Sequence, residues 1–273
     1  MLRQPSGPSR QVVPNSHWVG HQSIVIKLRH MRIAWIGPVV FLGLHALTQI
    51  SPVYVGSRFD AHRLRLGTFE YSDSSNGNAV GKSSIRVQRS EGGQNYVFSN
   101  VVEGASDQRW KAVITPNFSP LSAELTFGGS GEQHKAFDLS YSPNHVSGVA
   151  ATRDRNRFID RRIDEEIAVD TVDQRIDWAA VMALKSYEES ETFSFHVYDP
   201  KDGNSRIVAT VKGIETIHTK AGTFRVVRIL YRTEKAGGAQ TFEVFVNEQV
   251  PRFLVKEVFP WGMTSELVGP VQP

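Results

Sequence analysis

Residues 77–83 come nearest to a motif with known chemistry. They hold two glycines followed by Lys82 and Ser83, the residue types that bind phosphate groups in nucleotide-binding loops. That motif needs four residues between its glycines and a helix directly after it. Here three residues separate Gly77 from Gly81, and an alternating run follows. We therefore predict a hairpin turn in this stretch.

Histidines and acids supply the other candidate ligands and acid–base groups. His196 and His218 fall on predicted strands, Glu215 lies close to His218, and Asp199 and Asp202 share one turn. The histidines lack the close spacing of a helical metal pair, and the aspartates lack the bidentate glutamate of a calcium loop. The sequence therefore predicts no metal, no cofactor and no catalytic residue, and it favours a non-catalytic protein.

The composition excludes several classes of protein. There are no cysteines, which excludes a disulfide framework, a thiol nucleophile and a cysteine-based zinc site. The net charge is only +3, and the first 32 residues alone hold five Lys or Arg and no acid. The rest of the chain is close to neutral, so a nucleic-acid partner is not predicted.

The N-terminal part has the pattern of an export signal. Residues 1–32 are predicted to be a disordered basic leader, and Met31 is an alternative start that would leave it untranslated. A basic cluster then precedes the apolar run at residues 33–47, which indicates a signal peptide or an uncleaved anchor over residues 33–57. We expect an exported protein of the periplasm or cell envelope, with membrane contact only through residues 33–57 if they are not cleaved.

The remainder, residues 58–273, is predicted to be a single β-rich domain. Alternating apolar and polar runs recur about every ten residues between turn signals, which is typical of all-β folds. The predicted fold class is mainly β, with a large curved antiparallel sheet arranged as a half-barrel or a two-sheet meander. Apolar residues spaced by three and four predict one short helix over residues 178–187, capped by Asp177.

One charged segment interrupts the alternation. Residues 153–166 hold five arginines, three aspartates and two glutamates. This composition predicts a solvated loop whose charges pair locally, with an anion-binding edge as the alternative.

The C-terminal half resembles a known bacterial family. Gly213, Glu215, Ile217 and Thr219, followed by residues 221–224 (Ala-Gly-Thr-Phe), look like the signature of domain of unknown function 3108. The match covers most of residues 64–269 and implies an exported envelope protein of unassigned activity, with no catalytic residues to transfer. A more distant likeness is to the half-barrels of lipoprotein carriers, which hold acyl chains on a concave sheet.

The strands of this half are apolar on both faces, so both faces must be covered. A helix of about ten residues is only about 15 Å long, too short for a wide sheet. Either the sheet covers itself or a ligand does. We expect a non-catalytic protein that binds lipid or another apolar or acyl ligand, lined by Trp178, Met182, Phe193 and Phe195. The alternatives are an envelope hydrolase whose site is assembled from distant residues, and a structural protein that binds another envelope protein.

Overall fold

The computed structural model describes residues 58–104, 107–128, 134–154, 157–234 and 238–269. These ranges contain fifteen β-strands and one α-helix. The predicted leader (residues 1–32) and the predicted signal peptide or anchor (residues 33–57) lie outside the described residues, so both stay predictions. Within the described ranges, no helix has the length and apolarity needed to cross a membrane.

The strands follow the alternation of the sequence. In chain order they are β1 (Gly67–Ser75), β2 (Asn78–Arg89), β3 (Tyr96–Gly104), β4 (Gln108–Ile114), β5 (Pro120–Phe127), β6 (His134–Ser142), β7 (His145–Asp154), β8 (Arg157–Glu166), β9 (Thr171–Asp173), β10 (Thr192–Asp199), β11 (Gly203–Thr219), β12 (Gly222–Glu234), β13 (Gln240–Asn247), β14 (Leu254–Val258) and β15 (Met263–Leu267). The mainly β fold class is confirmed.

All the strands belong to one sheet, in the order β8-β7-β6-β5-β4-β3-β2-β1-β15-β14-β13-β12-β11-β10-β9. Neighbouring strands are antiparallel, except for β9 and β10, which are parallel. Because short turns join most successive strands, each strand returns beside the one before it. Two meanders, β1 to β8 and β10 to β15, meet where β1 pairs with β15. The predicted half-barrel therefore describes the fold, and the two-sheet meander does not.

The outer strands of the sheet approach each other through side chains but do not pair. Arg161 on β8 donates a hydrogen bond to the carbonyl of Pro200, just after β10. The Tyr141 hydroxyl on β6 donates to Asp173 Oδ2 on β9 at 2.6 Å. The sheet is therefore curled and has an inner face.

Residues with positive φ shape two of the hairpins. Asn76 (φ 50°) and Gly77 (φ 81°) make the two-residue turn between β1 and β2, so the stretch that resembled a phosphate loop is a hairpin turn. Gly222 opens β12 at φ 136°, in the region that glycine adopts most readily. Before this turn, β11 continues as one strand through a bulge between Val211 and Gly213.

The helix, α1 (Asp177–Met182), is shorter than predicted. A 3₁₀ turn precedes it, and Asp173, not Asp177, caps that turn by accepting a hydrogen bond from a backbone amide. The predicted end at Tyr187 is wrong, because Leu184 leaves the helix to form a β-bridge with Phe59. The prediction of one short helix holds for the described residues, but the helix ends five residues earlier than predicted.

Aromatic side chains fill one part of the inner face around α1. The Phe59 ring lies 5.8 Å from Phe118, 5.4 Å from Phe195 and 6.5 Å from Phe193, between ring centroids. All six residues of α1 are buried. We call this region the apolar end of the inner face: Phe59, Phe98, Phe118, Phe193 and Phe195.

Arg252 fixes the C-terminal end of α1. Its Nη1 donates hydrogen bonds to the carbonyls of Met182, at 3.0 Å, and Leu184, and its guanidinium lies 3.9 Å above the Tyr187 ring. The side chain is 5% exposed. A buried cation thus satisfies carbonyl groups that the end of a helix leaves without partners.

The charged segment is strand where the structure describes it. Residues 157–166 form β8 at one edge of the sheet, so the predicted loop is wrong. Ile163 is 1% exposed and anchors the strand to the inner face. The predicted local pairing is present, since Arg161 lies 3.4 Å from Glu165 and Arg162 lies 3.6 Å from Asp164.

Candidate functional site

Polar residues replace apolar ones towards one end of the central strands. On β1, Phe69 and Tyr71 are buried and Asp73 continues their row, and on β3, Asn100 continues the row of Phe98. Alternate residues of a strand face the same side, so these polar side chains point inwards. Only 7% of Asp73 and 9% of Asn100 is exposed. We call this region the polar end of the inner face: Asp73, Ser83, Asn100, Glu257 and Ser265.

Two carboxyl groups lie in one row across three neighbouring strands. Asp73 on β1 pairs with Ser265 on β15, and Ser265 pairs with Glu257 on β14. The Ser265 hydroxyl donates a hydrogen bond to Asp73 Oδ1 at 2.7 Å, and the Ser83 hydroxyl reaches the same oxygen at 3.4 Å. The Tyr231 hydroxyl donates to Glu257 Oε1 at 3.1 Å. Neutral hydroxyl groups therefore hold both carboxyl groups in place.

These carboxyl groups resist ionisation. Burial raises the pKa of Glu257 to about 8, helped by the negative charges of Asp177 and Asp73 and opposed by the hydrogen bond from Tyr231. Burial also raises the pKa of Asp73, against hydrogen bonds from Ser265 and Ser83. Glu257 is therefore largely protonated at pH 7, and it can give up its proton when a ligand changes the local charge.

A cavity of about 290 Å³ lies between these strands and the start of α1. Its polar lining comprises Asp73, Ser83, Asn100, Glu103, Gln108, Arg175, Asp177, Glu257 and Ser265. Its apolar lining includes three tryptophans, Trp110, Trp178 and Trp261. Trp261 is 55% exposed, so it stands where the cavity meets solvent.

Asn100 is the clearest sign that the cavity receives a molecule. Its side-chain oxygen is buried and accepts no hydrogen bond within the described part of the chain. A buried polar atom without a partner costs about 1–3 kcal/mol, so folded proteins usually satisfy it. The position of Asn100 on the cavity wall would let a bound molecule donate the missing hydrogen bond.

Arg175 also lines the cavity, but its charge is engaged elsewhere. Its Nε lies 2.8 Å from Asp173 Oδ1 and its Nη1 lies 2.6 Å from Asp199 Oδ2. The guanidinium also lies 4.6 Å from the centre of the Phe137 ring. Two carboxylates outside the row of Asp73 and Glu257 therefore neutralise this arginine.

The structure separates the four residues that the sequence proposed as ligand-lining. Trp178 lines the 290 Å³ cavity, and together with Met182 it lines a gap of about 10 Å³ beneath α1. Phe193 and Phe195 line neither space, and their rings contact Phe59 at the apolar end. That any of the four contacts a ligand stays a prediction.

Asp73, Asn100 and Glu257 were not among the site residues predicted from the sequence, although the sequence carries a signal for them. Each occupies the buried phase of an alternating strand, as Glu257 does two residues after the buried Val255 of β14. An acid or amide in that phase must be buried, and buried polar groups concentrate at functional sites. No three histidines or acids in the described ranges are arranged to hold a metal ion.

A single open and mostly antiparallel sheet, curled around one short helix, is a barrel-like β fold. The structure is similar to a beta-barrel-like protein of domain of unknown function DUF1849 from Brucella abortus, with a TM-score of 0.50 and 8% identity over 77% of this chain and 99% of that chain. The chain belongs to the family described as protein of unknown function (DUF3108), whose model matches residues 67–268. The resemblance of residues 213–224 to that family is confirmed.

Two further solved structures are similar at lower scores. One is a candidate exported protein with a YmcC-like fold from Bacteroides fragilis, with a TM-score of 0.36 and 10% identity over 78% of this chain and 98% of that chain. The other is a candidate lipoprotein from Parabacteroides distasonis, with a TM-score of 0.36 and 14% identity over the same shares, 78% and 98%. A comparison with curated proteins finds no match.

Proposed function

We propose that this chain is a binding protein of the cell envelope that holds a small molecule in the 290 Å³ cavity at the polar end. The observation that carries this proposal is the buried side-chain oxygen of Asn100, which lines the cavity and has no partner among the described residues. The basic cluster and apolar run of residues 27–47 support export, since they have the order of a signal peptide.

The size and lining of the cavity constrain its ligand. Ligand pockets span roughly 300–1,000 Å³, so this cavity lies at the small end of that range. A purely apolar acyl chain would leave the side-chain oxygen of Asn100 without a hydrogen bond, at a cost of about 1–3 kcal/mol. The lining favours a ligand that has both an apolar surface and hydrogen-bonding groups. An acyl ligand, which the sequence suggested, is the alternative outcome of the test.

Native mass spectrometry of the chain purified from its own host without detergent tests this proposal. We expect a bound molecule of low mass on the natural chain and a loss of that molecule in Asn100→Leu, which removes the acceptor and fills space. Ser99→Leu changes the opposite face of the same strand and should keep the molecule bound. A chain that carries no molecule, and binds none from a fractionated extract of the host, contradicts the proposal.

Catalysis by carboxyl groups is a second candidate, favoured by one observation. Glu257 has a pKa of about 8 and lies in a row with Asp73, and a group that titrates near neutral pH suits general acid–base catalysis. Glu257→Gln separates the candidates once a ligand is known. If the chain is an enzyme, Glu257→Gln should abolish turnover and leave substrate binding intact. If it is a binding protein, the natural chain and the variant should both release the ligand chemically unchanged.

A further inference from the structure

Hydrogen-bond acceptors and acids dominate the polar lining of the cavity. The carboxyl groups of Asp73, Asp177 and Glu257 are each 7% exposed, and Asn100 adds a buried oxygen without a partner among the described residues. The groups that donate to Asp73 and Glu257 are the hydroxyls of Ser83, Ser265 and Tyr231, which carry no charge. A ligand that complements this lining must donate hydrogen bonds.

Positive charge is also scarce around Asp73 and Glu257 in the part of the chain that the structure describes. Within the described ranges, neither Asp73 nor Glu257 has a lysine or arginine among the groups that set its pKa. Of the described residues in the lining, only Arg175 is cationic, and Asp173 and Asp199 engage its guanidinium. Ionised carboxylates that are buried without a cation are costly, so they favour a partner that brings positive charge.

The apolar part of the lining suits the same kind of ligand. Trp110, Trp178 and Trp261 line the cavity together with Phe259. Tryptophan is the aromatic side chain that attracts organic cations best, and the attraction grows when the cation is shielded from water. Aromatic and acidic groups therefore meet in one small space.

On the proposed binding function, we infer that the ligand is an organic cation. Its amine or ammonium group lies against Asp73 and Glu257, its hydrocarbon part lies against the three tryptophans, and the side-chain oxygen of Asn100 accepts a hydrogen bond from another donor group of the ligand. A neutral polyhydroxylated molecule would satisfy Asn100 equally well. A cation gains more, because it stabilises the ionised forms of Asp73 and Glu257 and forms ion pairs with them, so the cation is the favoured class.

Matched probes of equal shape test this inference on the full chain. Cyclohexylamine, which is charged at pH 7, and cyclohexanol, which is neutral, differ chiefly in charge, and myo-inositol represents the neutral polyhydroxylated class. Binding is followed by calorimetry and by tryptophan emission. We expect cyclohexylamine to bind about tenfold or more tightly than either neutral probe.

Two isosteric variants locate the charge recognition. Asp73→Asn should reduce the preference for cyclohexylamine over cyclohexanol by about tenfold while leaving cyclohexanol binding within about twofold. Glu70→Gln makes the same chemical change on the outer face of β1, where Glu70 accepts a hydrogen bond from Ser84, and it should leave the preference unchanged. Thermal unfolding of each variant confirms that it is folded.

The outcomes separate this inference from the binding function. Equal or tighter binding of cyclohexanol or myo-inositol, abolished by Asn100→Leu, overturns the cationic ligand and keeps the cavity as a binding site. A preference for cyclohexylamine that Asp73→Asn leaves intact also overturns the inference, because the charge would then be recognised elsewhere. Failure of all three probes, together with a native chain that carries no molecule, overturns both proposals.

Discussion

The apolar end and the polar end lie on the same inner face and share strand β3, but they are filled in different ways. Beneath α1, side chains leave a gap of only about 10 Å³, whereas the polar end keeps a cavity of about 290 Å³. A helix of six residues is about 9 Å long, and a strand of nine residues, such as β1, is about 30 Å long. The helix can cover only part of each strand, and the cavity lies where this cover ends.

The two ends cover the inner face of the sheet with different kinds of side chain. At the apolar end the protein covers its own sheet with phenylalanines and α1, which maximises the burial of apolar surface. At the polar end, acids and an amide are buried in place of apolar side chains, so less apolar surface is removed from water. Native proteins accept such local costs mainly where function requires them.

The largest expected effect concerns the residue that holds α1 over the apolar end. Arg252→Met should lower the free energy of unfolding by about 4 kcal/mol, because it leaves the carbonyls of Met182 and Leu184 without their donor. Denaturant unfolding of the purified chain measures this. Arg225→Met is the control, since that side chain is 67% exposed and its pair with Glu248 should contribute less than about 1 kcal/mol. Equal effects of the two variants would show that α1 does not depend on Arg252.

The next effect concerns the stability of the fold as a function of pH, which depends on Glu257 at the polar end. The pKa of Glu257 is about 8 in the folded state against an ordinary value of 4.5, so the folded chain holds a proton that the unfolded chain releases. Stability should therefore fall as the pH rises from about 4.5 to 8. The groups that face Glu257 are Tyr231, Asp177 and Asp73.

Glu257→Gln removes this titration. At pH 8 the variant should be more stable than the natural chain by roughly 2–4 kcal/mol. At pH 5 the two chains should have nearly equal stability, when unfolding is measured across this range. Glu70→Gln on the outer face should reproduce the pH dependence of the natural chain. A parallel pH dependence of the natural chain and the Glu257→Gln variant would mean that Glu257 is ionised in the folded protein and that the polar end is better solvated than the geometry indicates.

A smaller effect is expected at the hairpin between β11 and β12. Gly222 has φ 136°, and the Phe224 ring two residues later packs 5.9 Å from Phe253. Gly222→Val should destabilise the chain by about 2 kcal/mol, because a β-branched residue is strained at this φ. Gly269→Val provides the control, since Gly269 has no positive φ and open space where a side chain would begin. A change within about 0.5 kcal/mol at Gly222 would show that the turn relaxes easily.

The smallest effect on stability should occur at the mouth of the cavity. Trp261 is half exposed and contacts Phe259 at 5.1 Å and Phe242 at 5.8 Å. Trp261→Ala should cost about 1 kcal/mol in thermal unfolding, whereas Phe195→Ala at the apolar end should cost about 3–5 kcal/mol. Similar costs at the two positions would contradict the distinction between a filled end and an open end.

The alternation of the sequence predicted the strands well, because burial repeats with the period of the pleat. The family signature was also recognisable, and the structure explains its chemistry. Gly213 sits at the bulge of β11, Thr219 Oγ1 accepts a hydrogen bond from the Ala221 amide at 3.1 Å, and Gly222 opens β12. These residues shape a hairpin, so the most recognisable part of the sequence does not contain the candidate site.

The end of the helix and the cavity were harder to predict, because both depend on distant residues. Phe59 bridges Leu184 where α1 has ended, and Arg252 reaches the Met182 carbonyl from 70 residues away. Asp73 and Glu257 become neighbours only through the pairing of β1 with β15. Local periodicity carries no information about either contact, although the acid in the buried phase of β14 could have been noticed.

The pairing of β1 with β15 also constrains the order in which the strands of the sheet can pair during folding. The hydrogen bond from Ser265 to Asp73 joins residues 192 positions apart, whereas the other neighbours in each meander are joined by short turns. Contacts between distant residues carry a loop-closure cost and form slowly, so local hairpins have an advantage early in folding. The seam between β1 and β15 runs through the cavity wall, so the candidate site cannot form until β15 has been synthesised and has docked.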